Sequence, residues 1–502
     1  MPCVASQKRV MDGSVTARPA QSRGRMRGYS SLSLGLLVLL ALQGIPAAQS
    51  NPVIFPGTFS STGNMNEGRA GHTATVLLSG QVLVAGGSDG SESLSTAEAY
   101  DPSSGTFTEI GSMTTARDSQ TATLLEDGRV LITGGFNTNV PLASAELFDP
   151  GTSTFSPTGD MGVPRAWHAA TLLKNGEVLV TGGLNYQNGN IAVLSSAEIY
   201  DPAIGSFSPV GDMTTERTQH TATLLAGGQV LIAGGFTTAN QGNSLSSAEI
   251  YEPVAKSFTP IANMAVARCD HTATLLKNGQ VLLAGGFDFH NGQGQATASA
   301  ELYYPGSKSF RLTGPMHDKR YLQTATLLDN GRVLISGGTV QSAELYKNST
   351  KKFTTTGSME TERRAHTATL LNDGRVLVAG GFGNFYDTPV TAELYLPIGG
   401  SISVQPKRIA FLPLHLNSSA LTRKIRLTNL GSKVLILGVA GLAAPFLVAQ
   451  GGGWFKLARG QKHGVSIQFT PNELGRSETQ LVITTSDPKH PQVKITIIGS
   501  VN

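Results

Sequence analysis

Seven copies of one strand pattern run through this chain, and the last copy is completed by residues that precede the first. Gly-Gly pairs end an apolar strand at Gly86, Gly134, Gly182, Gly234, Gly285, Gly337 and Gly380, spaced 48, 48, 52, 51, 52 and 43 residues apart. A phenylalanine followed six positions later by a methionine also occurs seven times, at Phe59, Phe107, Phe155, Phe207, Phe258, Phe310 and Phe353. The two series are out of phase. The phenylalanine series starts before the first Gly-Gly pair and has no member after the last one. A repeat opening at Arg363 therefore lacks its fourth strand, and Thr58 to Met65 is a spare fourth strand at the other end. A period of about 50 residues with four strand signals is the signature of a propeller blade. The expected fold is all-β, a seven-bladed propeller closed by an N-terminal outer strand.

The second copy shows the physics of one repeat. Thr121 to Leu125 reads as a short strand, and Asp127-Gly128 reads as a two-residue hairpin turn needing φ > 0. Val130, Leu131 and Ile132 run apolar without alternation, as in a strand covered on both faces. Gly134-Gly135 permits close backbone approach. Ala145 to Phe148 is the third strand, Asp149-Pro150 turns the chain, and Phe155 marks the fourth. All seven methionines after residue 50, Met65 through Met359, share one position and are expected as apolar plugs between blades.

Residues 1–50 stand outside this pattern. A basic polar stretch precedes the apolar run Leu32 to Ile45 and the small residues Ala47-Ala48, which together read as a secretory signal peptide. Met26 is an alternative start that gives such a signal ordinary proportions. The apolar run is shorter than a membrane span, so no transmembrane span is expected after cleavage. The expected location is secreted, periplasmic or cell-surface. Only Cys269 remains after that cleavage, which rules out a cysteine-based metal site.

The charge is unevenly divided. Residues 51–400 hold 20 basic and 30 acidic groups, while residues 401–502 hold 12 basic and 3 acidic. For an exported chain the expected partner of the basic segment is an anionic envelope surface or the acidic propeller, rather than nucleic acid. Composition also changes at Gly399-Gly400: tyrosine disappears after Tyr395 and both repeat patterns stop. Alternating strands are expected at 408–412, 424–428, 434–439, 465–469, 479–484 and 493–498, as in an immunoglobulin-like β-sandwich. The division is thus 1–50 signal, 51–398 propeller and 399–502 sandwich.

The Gly-Gly pairs, the downstream glutamate with Tyr100-Asp101-Pro102 or Tyr200-Asp201-Pro202, and the Arg-x-x-His openings resemble the kelch family over residues 57–397. Kelch repeats usually carry tryptophan where this chain has the fourth-strand phenylalanine. Leu427-Thr428-Asn429-Leu430-Gly431 and Phe469-Thr470-Pro471 resemble the ASH (abnormal-spindle and Hydin-like) domains, which implies a binding or spacing module. The layout of a kelch propeller followed by a small all-β domain also resembles galactose oxidase-like copper radical enzymes. That family needs two tyrosines, two histidines and a cysteine crosslinked to a tyrosine. This chain has no tyrosine in its second domain, where only His415, His463 and His490 remain as conceivable ligands. The kelch-type sialic acid mutarotases use Glu, Arg and His; those residue types are all present here as repeats, so their presence does not discriminate.

Repetition separates scaffold from site. Arg69, Arg117, Arg165, Arg217, Arg268, Arg320 and Arg363 open the repeats, and each repeat has one third-strand glutamate, from Glu98 to Glu393. Sevenfold charged pairs are expected to be structural. His72, His168, His220, His271 and His366 share one position and are expected to be hydrogen-bonded, not metal ligands. Function is expected where the repeat breaks, on the face carrying the unequal Gly-Gly-to-glutamate loops. The singular residues there are Trp167, Tyr186, Phe289, His290, Tyr321, Arg364, Phe385 and Tyr386, whose aromatics suit a glycan or an extracellular protein ligand. The reading is a binding or adhesion protein without cofactor or metal; the alternative is a kelch-propeller enzyme of oxidase or mutarotase type.

Overall fold

The structure, a computed structural model, describes residues 57–502 apart from 188, 239–241 and 384–386. The expected signal segment and the candidate residues Phe385 and Tyr386 lie outside the described residues. Among the described residues there is no α-helix. From Thr58 to Leu396 the chain builds seven four-stranded antiparallel sheets of one design. Sheet 2 takes its strands in order from Thr121–Leu124, Val130–Thr133, Ala145–Asp149 and Thr154–Pro157. Sheet 7 takes Thr367–Leu370, Val376–Ala379 and Ala392–Leu396 from one end of the chain and Thr58–Ser61 from the other. Thr58 stands opposite Leu396 and Ser61 opposite Glu393. The first strand of each sheet lies beside the first strands of the sheets on either side, and that of sheet 7 returns to Thr73–Val76 of sheet 1. The sheets therefore form a closed, propeller-like ring.

Packing follows the repeat. Every second strand is buried along its whole length, as Val130–Thr133 is, because neighbouring sheets cover both faces. The seven methionines sit in these inter-sheet cores with only 3–4% of their surface exposed. Each fourth-strand phenylalanine tilts onto the aromatic ring of the third strand beside it, as Phe207 does on Tyr200 at 4.9 Å between centroids.

The hairpin turns differ from the expected two-residue form. Leu125 N–H donates to the Arg129 carbonyl and Gly128 N–H to the Leu125 carbonyl, which makes a three-residue turn. Only Gly128 has positive φ, at 89°. Asp127 instead accepts the Arg129 N–H on its Oδ1 at 3.0 Å, an Asx-type brace that Asn or Asp supplies in the equivalent turns at 175, 278, 330 and 373. The Gly-Gly pairs behave as expected. A Cβ on Gly134 would lie 2.4 Å from the Arg165 carbonyl oxygen of the next sheet. Gly135 N–H donates to that same carbonyl at 2.9 Å, and the last such bond, Gly381 to Arg69, spans the closure.

After Ile398 a four-stranded sheet (Ile402–Gln405, Leu421–Asn429, Lys462–Phe469, Phe446–Gln450) faces a five-stranded one (Arg408–Ala410, Gln492–Val501, Gly475–Thr485, Leu435–Val439, Gly453–Leu457). Ile425, Leu427, Val465 and Ile467 of the first sheet and Leu437, Leu481, Ile483 and Ile495 of the second share one apolar core. Strands at 402–405, 446–450 and 453–457 join the six foreseen from alternation. Asn429 of the Thr-Asn-Leu-Gly segment is fully buried; its amide donates to the Lys433 and Leu457 carbonyls and its Oδ1 accepts the Gly431 N–H.

Candidate functional site

The repeated charges are consumed by the scaffold. Arg217 donates through Nη1 to the Gly234 and Ser247 carbonyls and through Nη2 to Ser247 Oγ and Glu249 Oε1, the last at 2.8 Å. Glu249 Oε2 accepts the Thr214 N–H that follows Met213, so each pair ties the third strand to the segment leading into its own sheet. All seven pairs are closed in this way, with guanidiniums that have no exposed side-chain surface. The histidines reach sideways: His220 Nε2 meets Thr181 Oγ1 of the preceding sheet at 2.8 Å, and His271 meets Thr221 at 3.1 Å. Burial holds His72, His168, His271 and His366 down to about 3, so these rings stay neutral at physiological pH. In sheets 2 and 6 the position is Gln120 or Gln323, whose Nε2 donates to a carbonyl of the preceding sheet.

Directly before the histidine or glutamine lies the third position of this tetrad, half-buried in every sheet but the fourth. Gly71, Ser119, Trp167, Gln219, Asp270, Leu322 and Ala365 all adopt the left-handed conformation, with φ of 50–61°. Each N–H donates to the carbonyl of its counterpart in the preceding sheet: Ser119 to Gly71 at 2.9 Å, Trp167 to Ser119 at 3.3 Å, Gln219 to Trp167 at 3.0 Å, Asp270 to Gln219 at 3.3 Å. Leu322 to Asp270, Ala365 to Leu322 and Gly71 to Ala365 complete the circle at 3.1, 2.9 and 3.0 Å. Seven backbone hydrogen bonds thus form a collar where the first strands begin, at the axial end of the loop-bearing face. Left-handed backbone costs about 1 kcal/mol or more at each non-glycine residue, and the collar bonds offset it. Six of the seven collar residues are half-buried, and Gln219 is buried.

Two carboxyls mark this region. Asp118, just before collar residue Ser119, is buried and accepts hydrogen bonds from Ser93 Oγ at 2.7 Å and Ser119 Oγ at 2.9 Å; burial pushes it up to about 6. Ser93 Oγ also accepts the Thr138 N–H, so Asp118 pins the loops of sheets 1 and 2 together. Asp270, in the collar itself, keeps some exposed surface, and loss of hydration among its neighbours pushes its carboxyl up to about 8. The sequence held a signal for these residues that the search for singular aromatics passed over: within Arg-x-x-His, the third position never repeats.

Around the collar the loops form a second layer. Hairpins Phe136–Asn137/Val140–Pro141, Leu184–Gln187/Asn190–Val193, Phe236–Thr237/Asn243–Ser244 and Phe287–His290/Gln293–Ala296 rise from sheets 2 to 5. Sheet 6 has only the short connection from Gly337 to Ser342. The undersides of these hairpins need apolar partners, and the expected site aromatics supply several of them. Phe289 is a correction to the expected exposed set: only 4% of its surface is accessible, and it packs with Phe136, Leu184 and Phe236. Trp167 and Tyr186 are half-buried at the margin of the same cluster, Trp167 edge-on to Phe136 at 4.8 Å. Tyr321 is half-buried and edge-on to Phe287 at 5.1 Å. His290 is exposed and pairs with Asp288, and Arg364 is half-buried beside the collar.

The opposite face seats the C-terminal sheets. Lys456 pairs with Asp329 at 2.9 Å, the Arg375 guanidinium lies 4.3 Å from the Trp454 ring centre, and Ile436 packs on Leu396. A cleft of about 440 Å³ remains beside this junction, between the turn at Ser79–Gln81 and Lys456.

Comparison with known proteins agrees with this geometry. The Kelch motif is found at residues 69–114, 127–162 and 217–265, which fall on sheets 1, 2 and 4. No curated protein sequence matches the chain. Among solved structures it is similar to a fungal alcohol oxidase of the AA5 family, in complex with copper, with a TM-score of 0.56 and 14% identity over 89% of this chain and 100% of that one. That likeness is one of fold. Among the described residues, the histidines that an oxidase resemblance would call on stand apart from one another. The five repeat histidines face threonines of adjoining sheets, His490 pairs with Asp487, and His463 stacks on Phe455. Among the described residues no three His, Cys, Asp or Glu side chains are grouped to hold a metal. The chain carries Kelch motifs on an all-β, propeller-like ring whose chemically distinctive residues gather at one axial mouth.

Proposed function

We propose that this chain is a secreted or envelope-associated binding protein. In this reading residues 51–398 are a seven-bladed kelch propeller whose loop-bearing face takes a carbohydrate or protein ligand. Residues 399–502 are an ASH-like immunoglobulin-type sandwich that spaces it or anchors it to an anionic envelope surface. The observation that carries the reading is the asymmetry of that face: a layer of hairpins over sheets 2 to 5 stands beside a short connection on sheet 6, with the non-repeating collar at its foot. Variable loops on a rigid ring are where recognition is usually built. The repeated Arg and Glu side chains that a mutarotase-like activity would draw on are engaged in seven structural pairs, and the five repeat histidines in hydrogen bonds to adjoining sheets. A glycan and envelope-polymer binding screen on the purified mature protein tests the reading. It is lost if no ligand is retained, or if a retained ligand is insensitive to changes on the loop-bearing face.

The likeness to an alcohol oxidase keeps one second reading in view. One copper per chain by elemental analysis, together with peroxide released from a primary alcohol, would replace the binding reading with the oxidase one.

A further inference from the structure

The cleft of about 440 Å³ at the foot of the C-terminal sheets lies on the face opposite the loops. Its size falls within the range of about 300–1,000 Å³ usual for small-molecule sites, which favour domain boundaries. Sheet 1 gives one wall through the turn at Ser79–Gln81 and through Asp101, and sheet 7 gives a second through Asn372 and Asp373. The edge strand Gly453–Leu457 gives the third through Trp454 and Lys456. These walls are fixed to one another. Arg375 is buried, and its Nη2 donates to the Pro102 carbonyl of sheet 1 and to Asp373 Oδ2, each at 2.7 Å. The same guanidinium lies over the Trp454 ring at 4.3 Å. That ring takes the space beside Gly438, its partner across the strands, where an added Cβ would lie 2.7 Å from the indole. Trp454 is thus held in place before a ligand arrives, which lowers the ordering cost of binding.

Several polar groups at the cleft have no scaffold duty. At the turn position of Asn372, Lys174 and Lys277 each donate to a carbonyl of the next sheet, and Asp329 pairs with Lys456. The Asn372 amide makes no hydrogen bond among the described residues, although its Nδ2 stands only 3.0 Å from where a Cβ on Gly80 would be. Gln81 Nε2 and the Trp454 Nε1–H likewise meet no acceptor among the described residues. Asp101 is oriented by three hydrogen bonds, from the Ser103 N–H, Ser103 Oγ and Ser104 Oγ. A carboxylate offers about four such sites, so one remains on Oδ2. Charge does not call for an ion: Asp373 pairs with Arg375, and Lys456, the only cation lining the cleft among the described residues, pairs with Asp329. Phe455 gives its ring to His463 at 3.9 Å, which leaves too little apolar lining for the alternating side-chain pockets of an extended peptide. We propose that this cleft binds a short neutral saccharide. Its hydroxyls would donate to Asp101 and to the amide oxygens of Gln81 and Asn372, and accept from the two amide nitrogens and the Trp454 Nε1–H. The site goes beyond the binding reading of the loop-bearing face and does not depend on it.

The chain has two tryptophans, Trp167 on the loop-bearing face and Trp454 at the cleft, so their indole N–H signals report the two faces separately. The test is NMR titration of the full mature protein, labelled at tryptophan, with maltose, cellobiose and N,N′-diacetylchitobiose, and with triglycine as the peptide control. At least one disaccharide is expected to shift the Trp454 signal saturably, while triglycine does not. Gln81→Ala together with Asn372→Ala should weaken that binding about tenfold or more, by loss of the amide hydrogen bonds. The melting temperature should not change, since both side chains are exposed. Trp454→Phe keeps a ring beside Gly438 but removes the N–H, and should weaken binding measured by calorimetry. The proposal is overturned if no disaccharide moves the Trp454 signal, if triglycine moves it as well as the sugars do, or if both variants keep full affinity. A disaccharide that shifts only the Trp167 signal puts saccharide binding on the loop-bearing face, so the cleft site falls and the binding reading stands. If only Trp454 responds, and changes at Trp167, Tyr186 and Tyr321 leave the affinity intact, the cleft site stands whatever becomes of the loop-bearing face.

Discussion

Arg217 has no exposed surface, and its Nη atoms meet two carbonyls, a hydroxyl and the Glu249 carboxylate. Removing one member of such a pair leaves an uncompensated buried charge, which typically costs about 3–5 kcal/mol. Glu249→Ala should therefore lower stability by that order in urea unfolding; a loss near that of an ordinary surface substitution would show that the pairs are not structural. The histidines give a second residue-scale prediction. Their folded pKa values lie below the unfolded value of about 6.5, so the unfolded chain takes up protons that the folded one refuses. The stability they contribute is complete above that pH and is lost as pH falls toward about 3. Asp118 and Asp270 act oppositely, their contribution fading as pH rises through about 6 and about 8. Below about pH 6 the histidines outnumber them, at up to about 1.4 kcal/mol per pH unit each. His271→Gln, which copies what Gln120 and Gln323 do in their sheets, should flatten the acid limb of stability measured by urea unfolding between about pH 4 and 6. An unchanged limb would mean that the ring of His271 is already open to protons.

Thr58–Ser61 is the element on which the ring depends, since among the described residues it alone covers the outer edge of Ala392–Leu396. Phe59 packs on Tyr395 at 4.9 Å, and Gly357 N–H donates to the Gly57 carbonyl, so this strand also touches sheet 6. Deleting residues 51–66 leaves a strand edge unpaired and should give a lower melting temperature and aggregation. A truncated protein that melts like the full chain and stays monomeric by light scattering would show that closure is dispensable. Elements of this kind were legible because a shift of phase between two repeat series is a matter of counting. The turns were legible only in part. Asn-Gly and Asp-Gly suit both a two-residue and a three-residue hairpin, and the choice lies in which carbonyl Gly128 N–H reaches. The hairpins over sheets 2 to 5 were not legible as strands, being only two to four residues long. The sequence therefore could not say that Phe289 would be folded under while His290, its neighbour, stays exposed. The collar escaped for a different reason: it is made by backbone groups, and side-chain patterns do not report them.

Across the whole molecule, charge and shape divide between the two ends. The outward side of the four-stranded C-terminal sheet is marked by Lys424, Arg426 and Lys462, all exposed, and its four strands contain no aspartate or glutamate. Lys424 stands opposite Ser466 and Arg426 opposite Gly464, small neighbours that leave the cations prominent. Each Lys or Arg near an anionic lipid surface contributes about 1 kcal/mol, and screening shortens its reach from about 10 Å at 0.1 M salt to about 3 Å at 1 M. The mature protein should therefore bind phosphatidylglycerol-containing vesicles at low salt and release them as salt rises. The triple substitution Lys424→Glu, Arg426→Glu and Lys462→Glu should abolish that binding with little change in melting temperature, since none of the three side chains is buried. The same triple should leave untouched any ligand taken by the loop-bearing face, because the C-terminal sheets dock on the opposite one. The converse set, Trp167→Ala, Tyr186→Ala and Tyr321→Ala, should remove ligand binding and leave vesicle binding intact. Losing an aromatic anchor costs about 2 kcal/mol or more, roughly thirtyfold in affinity. If the aromatic triple instead unfolds the protein, those rings belong to the hairpin layer beside Phe136 and Phe289, and the loop-bearing face must bind through other residues. If the glutamate triple weakens both activities together, the two ends are coupled, and a single contact surface spanning both would replace the division of labour.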